Sequence, residues 1–346
     1  MTNWQHQCRL SLALDSTRIR AFVTTATAIA ARGVFVGSRI ANAGTFLIAW
    51  LTLIAVALYP GAGVAQAAPA PASANCRSES LFRYSSAHSS WTGWSTSATN
   101  TRFQDAMGAG LRAEDVPKLK LKWAFALGSE SNARSQPAVD NDRIFFGTER
   151  GAVCSLDAHS GCIERTTRIT GAIRSALVIG PTGHESHAAV YFGAGHDAYA
   201  LDATTGKQIW QVRITRHLAA MITAAPLLYR DVLYFGVSSF EERLAASPSY
   251  QCCTFRGSVV ALQADTGKLL WRTYTIDKAS KATDKNQAGV WMYGPSGAAV
   301  WSTPTFDAER DRLYVATGDN YSHPATKTSD AVLALNARNG RLLWQQ

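Results

Sequence analysis

The chain has 346 residues, of which 47% are hydrophobic and 17% are charged, a composition typical of a folded globular chain and not of a disordered one. The formal net charge is +9, but five arginines and one acidic residue lie before residue 68, which leaves 29 basic and 24 acidic residues in the remainder. Because that remainder has no basic run and no basic patch interleaved with aromatic residues, nucleic-acid binding is not expected.

Residues 1–67 are predicted to be an export signal. Thr45–Leu58 is an apolar core of 14 residues, Arg39 lies just upstream, and Ala65–Ala67 offers a small-x-small cleavage site. A spanning helix needs about 20 apolar residues, so a retained membrane anchor is the less favoured alternative. We expect a linker at residues 68–90, a folded domain at 91–346, and a periplasmic or secreted protein without a stable membrane anchor.

One phrase recurs four times in the folded part, most clearly as ALDATTGKQIW at Ala200–Trp210. It returns as ALQADTGKLLW and ALNARNGRLLW, and more weakly as SLDAHSGCIER. The shared glycines are 45, 61 and 73 residues apart, and they are Gly161, Gly206, Gly267 and Gly340. Repeats with periods of this size are typical of propellers, solenoids or arrays.

The stretch around one copy, Tyr191–Ile214, is predicted to form three strands joined by two turns, and a further strand is predicted before each copy, as in AAPLLYRDVLYFGV at Ala224–Val237. Each unit therefore contains about four antiparallel strands, the content of one propeller blade. The tryptophans that close three of the phrases are predicted to pack between neighbouring blades, where they bury large apolar faces. We predict an all-β fold, a β-propeller of four-stranded antiparallel blades.

Six cysteines are present, without a CxxC or CxxCH spacing, so a zinc ribbon and a covalently attached haem are disfavoured. Cys8 lies in the predicted signal. Cys154 and Cys162 flank one predicted hairpin and are candidates for a disulfide. The adjacent Cys252 and Cys253 are either a vicinal disulfide, which an oxidising compartment permits, or two buried thiols.

The repeated phrase resembles the tryptophan-docking repeat of dehydrogenases that use pyrroloquinoline quinone (PQQ), which are eight-bladed propellers. Three further segments resemble the polyvinyl-alcohol dehydrogenase subgroup: WTGWSTSATNTRFQ at Trp91–Gln104, QCCTFRGSVVAL at Gln251–Leu262 and WSTPTFDAERDRLYVATGDNYS at Trp301–Ser322. The resemblance covers roughly residues 91–346. It implies that about four of the eight blades of such a propeller are present in this chain.

The resemblance implies a site for PQQ, a planar quinone with three carboxylates. Arg174 would pair with a carboxylate or with the quinone oxygen, because a guanidinium donates two hydrogen bonds to a carboxylate. Trp301 would form the floor under the ring. The implied ceiling is a disulfide between Cys252 and Cys253, and the implied rim residues are Thr223, Ser238 and Ser239.

Two features depart from the methanol dehydrogenase branch of this family. The cysteine pair follows the loop of Glu241 and does not lie beside the rim arginine. Arg134 stands where that branch has an acidic residue.

The resemblance also implies a calcium ion, whose oxygen ligands would come from Glu241 and from Asp319 or the adjacent Asn320. Calcium would polarise a quinone carbonyl as a Lewis acid. The implied activity is oxidation of secondary alcohols, with electrons passed to an external cytochrome c because this chain has no haem motif. The catalytic base is expected beyond Gln346, so we expect this chain to be an N-terminal half that is inactive alone.

Two other functions remain open. One is a non-catalytic propeller scaffold of the outer-membrane-assembly type, which carries the same repeat. The other is a PQQ-dependent sugar dehydrogenase.

Overall fold

The structure, a computed structural model, describes residues 75–77, 81–85, 90–128, 132–182 and 187–346. The predicted export signal with Cys8 and most of the predicted linker lie outside these residues. Within the described ranges, the chain has no helix that is both long and apolar enough to cross a bilayer.

Four antiparallel sheets follow one another along the chain, and each joins its four main strands in sequence order. We call them blades 1 to 4. The strands of blade 1 are β1 (Ala138–Asp140), β2 (Arg143–Gly147), β3 (Ala152–Asp157) and β4 (Ile163–Arg168). The strands of blade 2 are β5 (Val178–Pro181), β6 (Ala188–Ala194), β7 (Asp197–Asp202) and β8 (Gln208–Arg213). This arrangement confirms the predicted all-β fold of four-stranded antiparallel blades.

Blade 3 has an additional short strand, β9 (Ala220–Met221), which pairs with the end of the second main strand. The main strands of blade 3 are β10 (Leu227–Tyr229), β11 (Val232–Ser239), β12 (Ser258–Gln263) and β13 (Leu269–Tyr274). The strands of blade 4 are β17 (Thr305–Asp307), β18 (Arg312–Ala316), β20 (Val332–Asn336) and β21 (Leu342–Gln345).

Two small ladders and three short helices complete the described elements. The ladders are β14 (Lys281–Lys285) with β15 (Trp291–Gly294), and β16 (Ser296–Gly297) with β19 (Asn320–Ser322). The helices are α1 (Ala106–Ala109), α2 (Glu241–Leu244) and a 3₁₀ helix at Ala113–Lys118.

The core lies between successive blades. All seven residues of β6 are buried, whereas β8 buries only Trp210 fully and exposes most of the rest. A strand that is covered on both faces needs apolar side chains on both faces, and the run AAVYFGA of β6 meets that need. One cluster joins Tyr191 of blade 2 to Phe235 of blade 3.

The tryptophans of blades 2 and 3 dock onto the turn of the next blade, as predicted. The Trp210 Nε1 donates to the Ala264 carbonyl at 2.8 Å, and the Trp271 Nε1 donates to the Ala337 carbonyl at 3.0 Å. Both indoles are more than 90% buried. Each tryptophan therefore supplies apolar contact and a satisfied N–H to the neighbouring blade.

The glycine of the phrase leaves room for the indole. Gly267 has φ +68°, and a Cβ there would lie 2.8 Å from the Trp210 ring. Gly161 stands in the same relation to Trp123, whose Nε1 donates to the Ala158 carbonyl at 3.1 Å. The sequence analysis missed Trp123 as a docking residue because it lies outside the repeated phrase.

The predicted bridge between Cys154 and Cys162 is wrong. Cys162 is bonded to Cys76, 86 residues away, with the two Cα atoms 5.1 Å apart. Cys154 is buried within β3. The reason is a contact distant in sequence: Asn75 forms a parallel bridge with Ile163, and this brings Cys76 beside Cys162.

Replacing Gly267 with alanine tests the docking contact, because the new Cβ would collide with the Trp210 ring. We expect a loss of about 1–3 kcal/mol in the free energy of unfolding, measured by urea denaturation. Gly289→Ala is the matched control, since Gly289 also has positive φ (+77°) but no atom lies within 4 Å of its Cβ position. Equal losses in the two variants would show that only backbone conformation matters.

Candidate functional site

One position recurs in all four blades, four residues before the first strand. Arg134 precedes β1, Arg174 precedes β5, Thr223 precedes β10 and Trp301 precedes β17 by that same distance. Three of these four are residues that the resemblance assigned to the cofactor. We call these four residues the lead-in positions.

Close packing onto the preceding blade fixes these positions. The residue before Arg174, Thr223 or Trp301 packs where a glycine in the second strand of the preceding blade has no side chain. For example, a Cβ on Gly236 would lie 2.6 Å from Val300, the neighbour of Trp301. The Val300 N–H donates to the Val237 carbonyl at 3.1 Å. The same pairs in the earlier blades are Gly147 with Ile173 and Gly193 with Ile222.

Arg174 is tied to its neighbours through a carboxylate and a thioether. Its Nε lies 3.3 Å from the Glu149 Oε1, and its Nη1 lies 3.6 Å from the Met221 Sδ. The Arg134 Nε lies 2.8 Å from the same Glu149 oxygen. Arg174 is about one-third exposed, so the guanidinium is accessible from solvent.

The three predicted hydroxyl residues lie together at the end of β11. The Thr223 and Ser238 hydroxyl oxygens are 2.8 Å apart, and the Ser238 hydroxyl also donates to the Met221 carbonyl at 3.0 Å. Ser239 donates to the Ala219 carbonyl at 3.0 Å. Both serines are fully buried. They pair with β9, which contains Met221, and Met221 also contacts Arg174, so β9 connects the hydroxyls to Arg174.

Glu241 is fully buried and holds the segment that follows the cysteine pair. Its carboxylate accepts the Thr254 N–H at 2.9 Å, the Phe255 N–H at 2.8 Å and the Tyr250 hydroxyl at 3.0 Å. The His217 Nε2 lies 3.5 Å away. Burial raises the pKa of Glu241, but the hydrogen bonds from His217, Thr254 and Phe255 outweigh it, so the pKa lies below its ordinary value.

Cys252 and Cys253 form a vicinal disulfide, and both are buried. This resolves the two alternatives left by the sequence. The backbone of Tyr293 in β15 forms two hydrogen bonds with the pair. Its N–H donates to the Cys252 carbonyl at 2.6 Å, and its carbonyl accepts the Cys253 N–H at 3.1 Å. The cysteine pair is thus held between the Glu241 segment and the hairpin of β14 and β15.

Trp301 presents a partly open indole beside the loop that follows β18. The side chain is 43% exposed. A Cβ on Gly318 would lie 2.7 Å from the Trp301 Nε1, so the ring rests directly on this glycine. Asp319 follows and is exposed, while the Asn320 Oδ1 accepts the Thr326 hydroxyl at 3.1 Å.

Tyr321 connects this loop to the other site segments, and sequence reasoning missed it. Its hydroxyl donates to the Ser239 carbonyl at 3.4 Å, and its own carbonyl oxygen lies 3.8 Å from the Cys252 Sγ. Its ring stacks on Phe255 with centroids 6.1 Å apart. Burial, and then the nearby acidic side chains, raise the pKa of Tyr321 above its ordinary value.

The described contacts join most of the predicted site residues into one connected set. Within the part of the chain that the structure describes, no hydrogen bond or ring contact links the cysteine pair to Arg174 or Trp301. Glu149 was also missed by the sequence analysis. A blade alignment would have found it, because it lies two residues after Gly147, as Ser238 lies two residues after Gly236.

The site residues fit PQQ, but they do not fit calcium equally well. An exposed indole, an accessible guanidinium and clustered hydroxyls suit a planar carboxylated ring. For calcium, both Glu241 oxygens already accept N–H donors, and the described residues contain no cluster of three or more acidic, histidine or cysteine side chains able to hold a metal. Glu241 as arranged therefore does not fit a calcium ligand.

The fold and site define a β-propeller of tryptophan-docked blades with a polar and aromatic site at one end of the strands. A family model described as the outer membrane protein assembly factor BamB matches residues 111–290 and 256–346. The chain belongs to this family of PQQ-type propeller repeats.

Two curated relatives are polyvinylalcohol dehydrogenases. The protein of Pseudomonas sp. is 38% identical over 257 residues, which cover 73% of this chain and 40% of the relative. The protein of Sphingopyxis sp. is 40% identical over 257 residues, covering 73% and 39%. The chain thus spans about 40% of the length of these relatives.

Two solved structures share this fold over part of their length. A quinohemoprotein alcohol dehydrogenase of Pseudomonas putida matches with a TM-score of 0.59 and 20% identity, over 75% of this chain and 40% of that one. The enzyme of Comamonas testosteroni matches with a TM-score of 0.57 and 21% identity, over 74% and 41%. At these identities the likeness establishes the fold alone.

Glu241→Ala tests whether this carboxylate holds the cysteine segment. Removing it leaves the buried Phe255 N–H and the partly buried Thr254 N–H without their acceptor, so we expect a loss of about 2–4 kcal/mol in the free energy of unfolding. We also expect faster reduction of the Cys252–Cys253 bond by a phosphine, followed by mass spectrometry. The neighbouring, exposed Glu242 gives the matched control, Glu242→Ala, which should stay within about 0.5 kcal/mol of wild type. Similar behaviour of the two variants would contradict the assignment.

Proposed function

We propose that this chain binds PQQ and belongs to an exported quinoprotein alcohol dehydrogenase of the polyvinyl-alcohol dehydrogenase type, which oxidises secondary alcohols. The observation that carries the proposal is the occupancy of the lead-in positions. Arg174, Thr223 and Trp301 provide a cation, a hydroxyl and an open flat ring at equivalent places in three successive blades.

Each side chain has a task that follows from its chemistry. Arg174 binds a carboxylate or quinone oxygen with the N–H groups that Glu149 and Met221 leave available. Trp301 offers its exposed face to a flat, electron-poor ring. Thr223 and Ser238 fix the polar rim through their mutual hydrogen bond. When bound, PQQ supplies the two-electron oxidation of an alcohol, which no amino-acid side chain provides.

The cysteine pair is proposed as a rigid cover near this site. Its two flanks are held independently, by the Glu241 carboxylate on one side and by the Tyr293 backbone on the other. A cover held at both ends keeps water from one face of a bound ring, and exclusion of water strengthens polar contacts inside a site.

Asp319 and Asn320 are the oxygen-bearing side chains that we propose for a divalent cation. Two donors are far fewer than the six to eight oxygens that calcium takes. No step is therefore derived through a cation.

Several features support the remaining parts of the proposal. Two disulfides, Cys76–Cys162 and Cys252–Cys253, suit a periplasmic or secreted protein. The curated relatives named as polyvinylalcohol dehydrogenases support an alcohol as the substrate. The resemblance to polyvinyl-alcohol dehydrogenases also leads us to propose a cytochrome c as the electron acceptor.

A second candidate is a non-catalytic scaffold, which the description of the matching family model favours. A scaffold needs the tryptophan docking but no site at the lead-in positions. It predicts that PQQ does not bind.

Isothermal titration of the purified chain with PQQ separates the two candidates. We expect Trp301→Ala to weaken PQQ binding about tenfold, because the stacking face is lost. Trp344 is the matched control, since it is also exposed (39%) but lies on β21, the last strand of blade 4, with its ring against Tyr314, and Trp344→Ala should leave the Kd unchanged. Absence of binding to the wild-type chain would favour the scaffold.

A further inference from the structure

Two guanidiniums converge on one carboxylate at the start of the described propeller. The Nε atoms of Arg134 and Arg174 lie 2.8 and 3.3 Å from the same Oε1 of Glu149. Like-charged groups are rarely brought this close without an anion between them. The geometry shows that both arginines can reach one carboxylate oxygen at the same time.

Arg134 occupies the lead-in position of blade 1, which is equivalent to that of Arg174 in blade 2. The local sequences agree, NARSQP against AIRSAL, and both arginines stand four residues before the first strand. Arg134 thus has the same spacing from the first main strand of its blade as Thr223 and Trp301 have in theirs. The sequence analysis registered Arg134 only as a departure from the acidic residue of a related branch.

The charges leave capacity for another anion. The pair carries two positive charges against the single carboxylate of Glu149. Each guanidinium has five N–H donors. In the described part of the chain, one nitrogen of Arg134 contacts Glu149, and two nitrogens of Arg174 contact Glu149 and Met221. Several donors of Arg134 therefore face solvent, where a ligand can accept from them.

A buried hydroxyl beside Arg134 supplies an independent observation. Ser135 is 6% exposed, and its Oγ has no hydrogen-bond partner among the described residues. The equivalent Ser175 in the next blade is satisfied by Gly193, whose N–H and carbonyl it contacts at 3.1 and 3.2 Å. A buried hydroxyl without a partner is uncommon, and it leaves the Ser135 Oγ available for a further hydrogen bond next to Arg134 in the sequence.

We propose that Arg134 and Arg174 together form a binding site for a carboxylate of a planar aromatic polycarboxylate, with Arg134 as a specificity residue. The inference rests on the proposed function in so far as the ligand is PQQ. An acidic residue at position 134 would repel such a ligand carboxylate, whereas Arg134 attracts it. The site thus selects for the more highly carboxylated ligand.

The experiment is an equilibrium titration of the full chain with two probes, PQQ and benzene-1,3,5-tricarboxylate. We expect Arg134→Ala to weaken the binding of both probes about tenfold, because a charge-assisted hydrogen bond is lost. Arg310→Ala is the matched control. The Arg310 side chain is 58% exposed against 59% for Arg134, and it also forms an ion pair, with Asp307. Its loss should change neither Kd.

A gain of affinity gives a second arm that misfolding cannot imitate. Glu149→Gln keeps an amide oxygen for the guanidiniums but removes the opposing charge, so both probes should bind more tightly, about threefold to tenfold. The trimethyl ester of the tricarboxylate, which has no charge, should show no dependence on Arg134.

The outcomes separate this inference from the proposed function. If wild type binds PQQ and Arg134→Ala binds it equally well, the inference is overturned while the proposed function stands. If PQQ fails to bind but the tricarboxylate binds in an Arg134-dependent way, the proposed function is overturned and the inference stands. If neither probe binds, both are overturned.

Discussion

The absence of a side chain at three glycines is the constraint on which the site depends. Gly147, Gly193 and Gly236 each lie in close contact with a side chain of the segment that leads into the next blade. Because a Cβ at any of them would overlap the packed Ile or Val, the following residue is held at a fixed place. Because this contact is repeated, Arg174, Thr223 and Trp301 occupy equivalent places in three successive blades.

Tryptophan docking and glycine packing act at different places in each blade. The indoles fasten a blade to the polar turn of its neighbour, and they carry none of the proposed chemistry. The glycine contacts fix the lead-in positions, where chemistry is proposed. This division explains why the repeated phrase is uniform, whereas the lead-in residues differ from blade to blade.

Much of the fold was predictable from the sequence because its signals are local. Alternating apolar runs, turn glycines and the tryptophans of three of the four phrases all lie within about eleven residues of one another. The misses came from contacts between distant segments. Cys162 is bonded to Cys76 because Asn75 forms a bridge with Ile163. The sequence around Cys162 contains no signal for this distant contact.

The candidate site was predictable in part, and for a related reason. Arg174, Thr223 and Trp301 came from a family resemblance, and the structure adds that they are equivalent positions. The surroundings of Glu241 could not be anticipated, because its donors arrive from residues 254 and 255 on the far side of a loop. Glu149 and Tyr321 were missed because a turn glutamate and a strand tyrosine look ordinary until three-dimensional neighbours are known.

The central claim is that successive lead-in positions form one cofactor site. A crystal structure of the chain soaked with PQQ tests it most directly. The account predicts ring density against the Trp301 indole, with carboxylate oxygens within hydrogen-bond distance of the Arg174 guanidinium. Ordered PQQ elsewhere on the molecule, or an unchanged Trp301 and Arg174 with no bound ring at saturating PQQ, would contradict it.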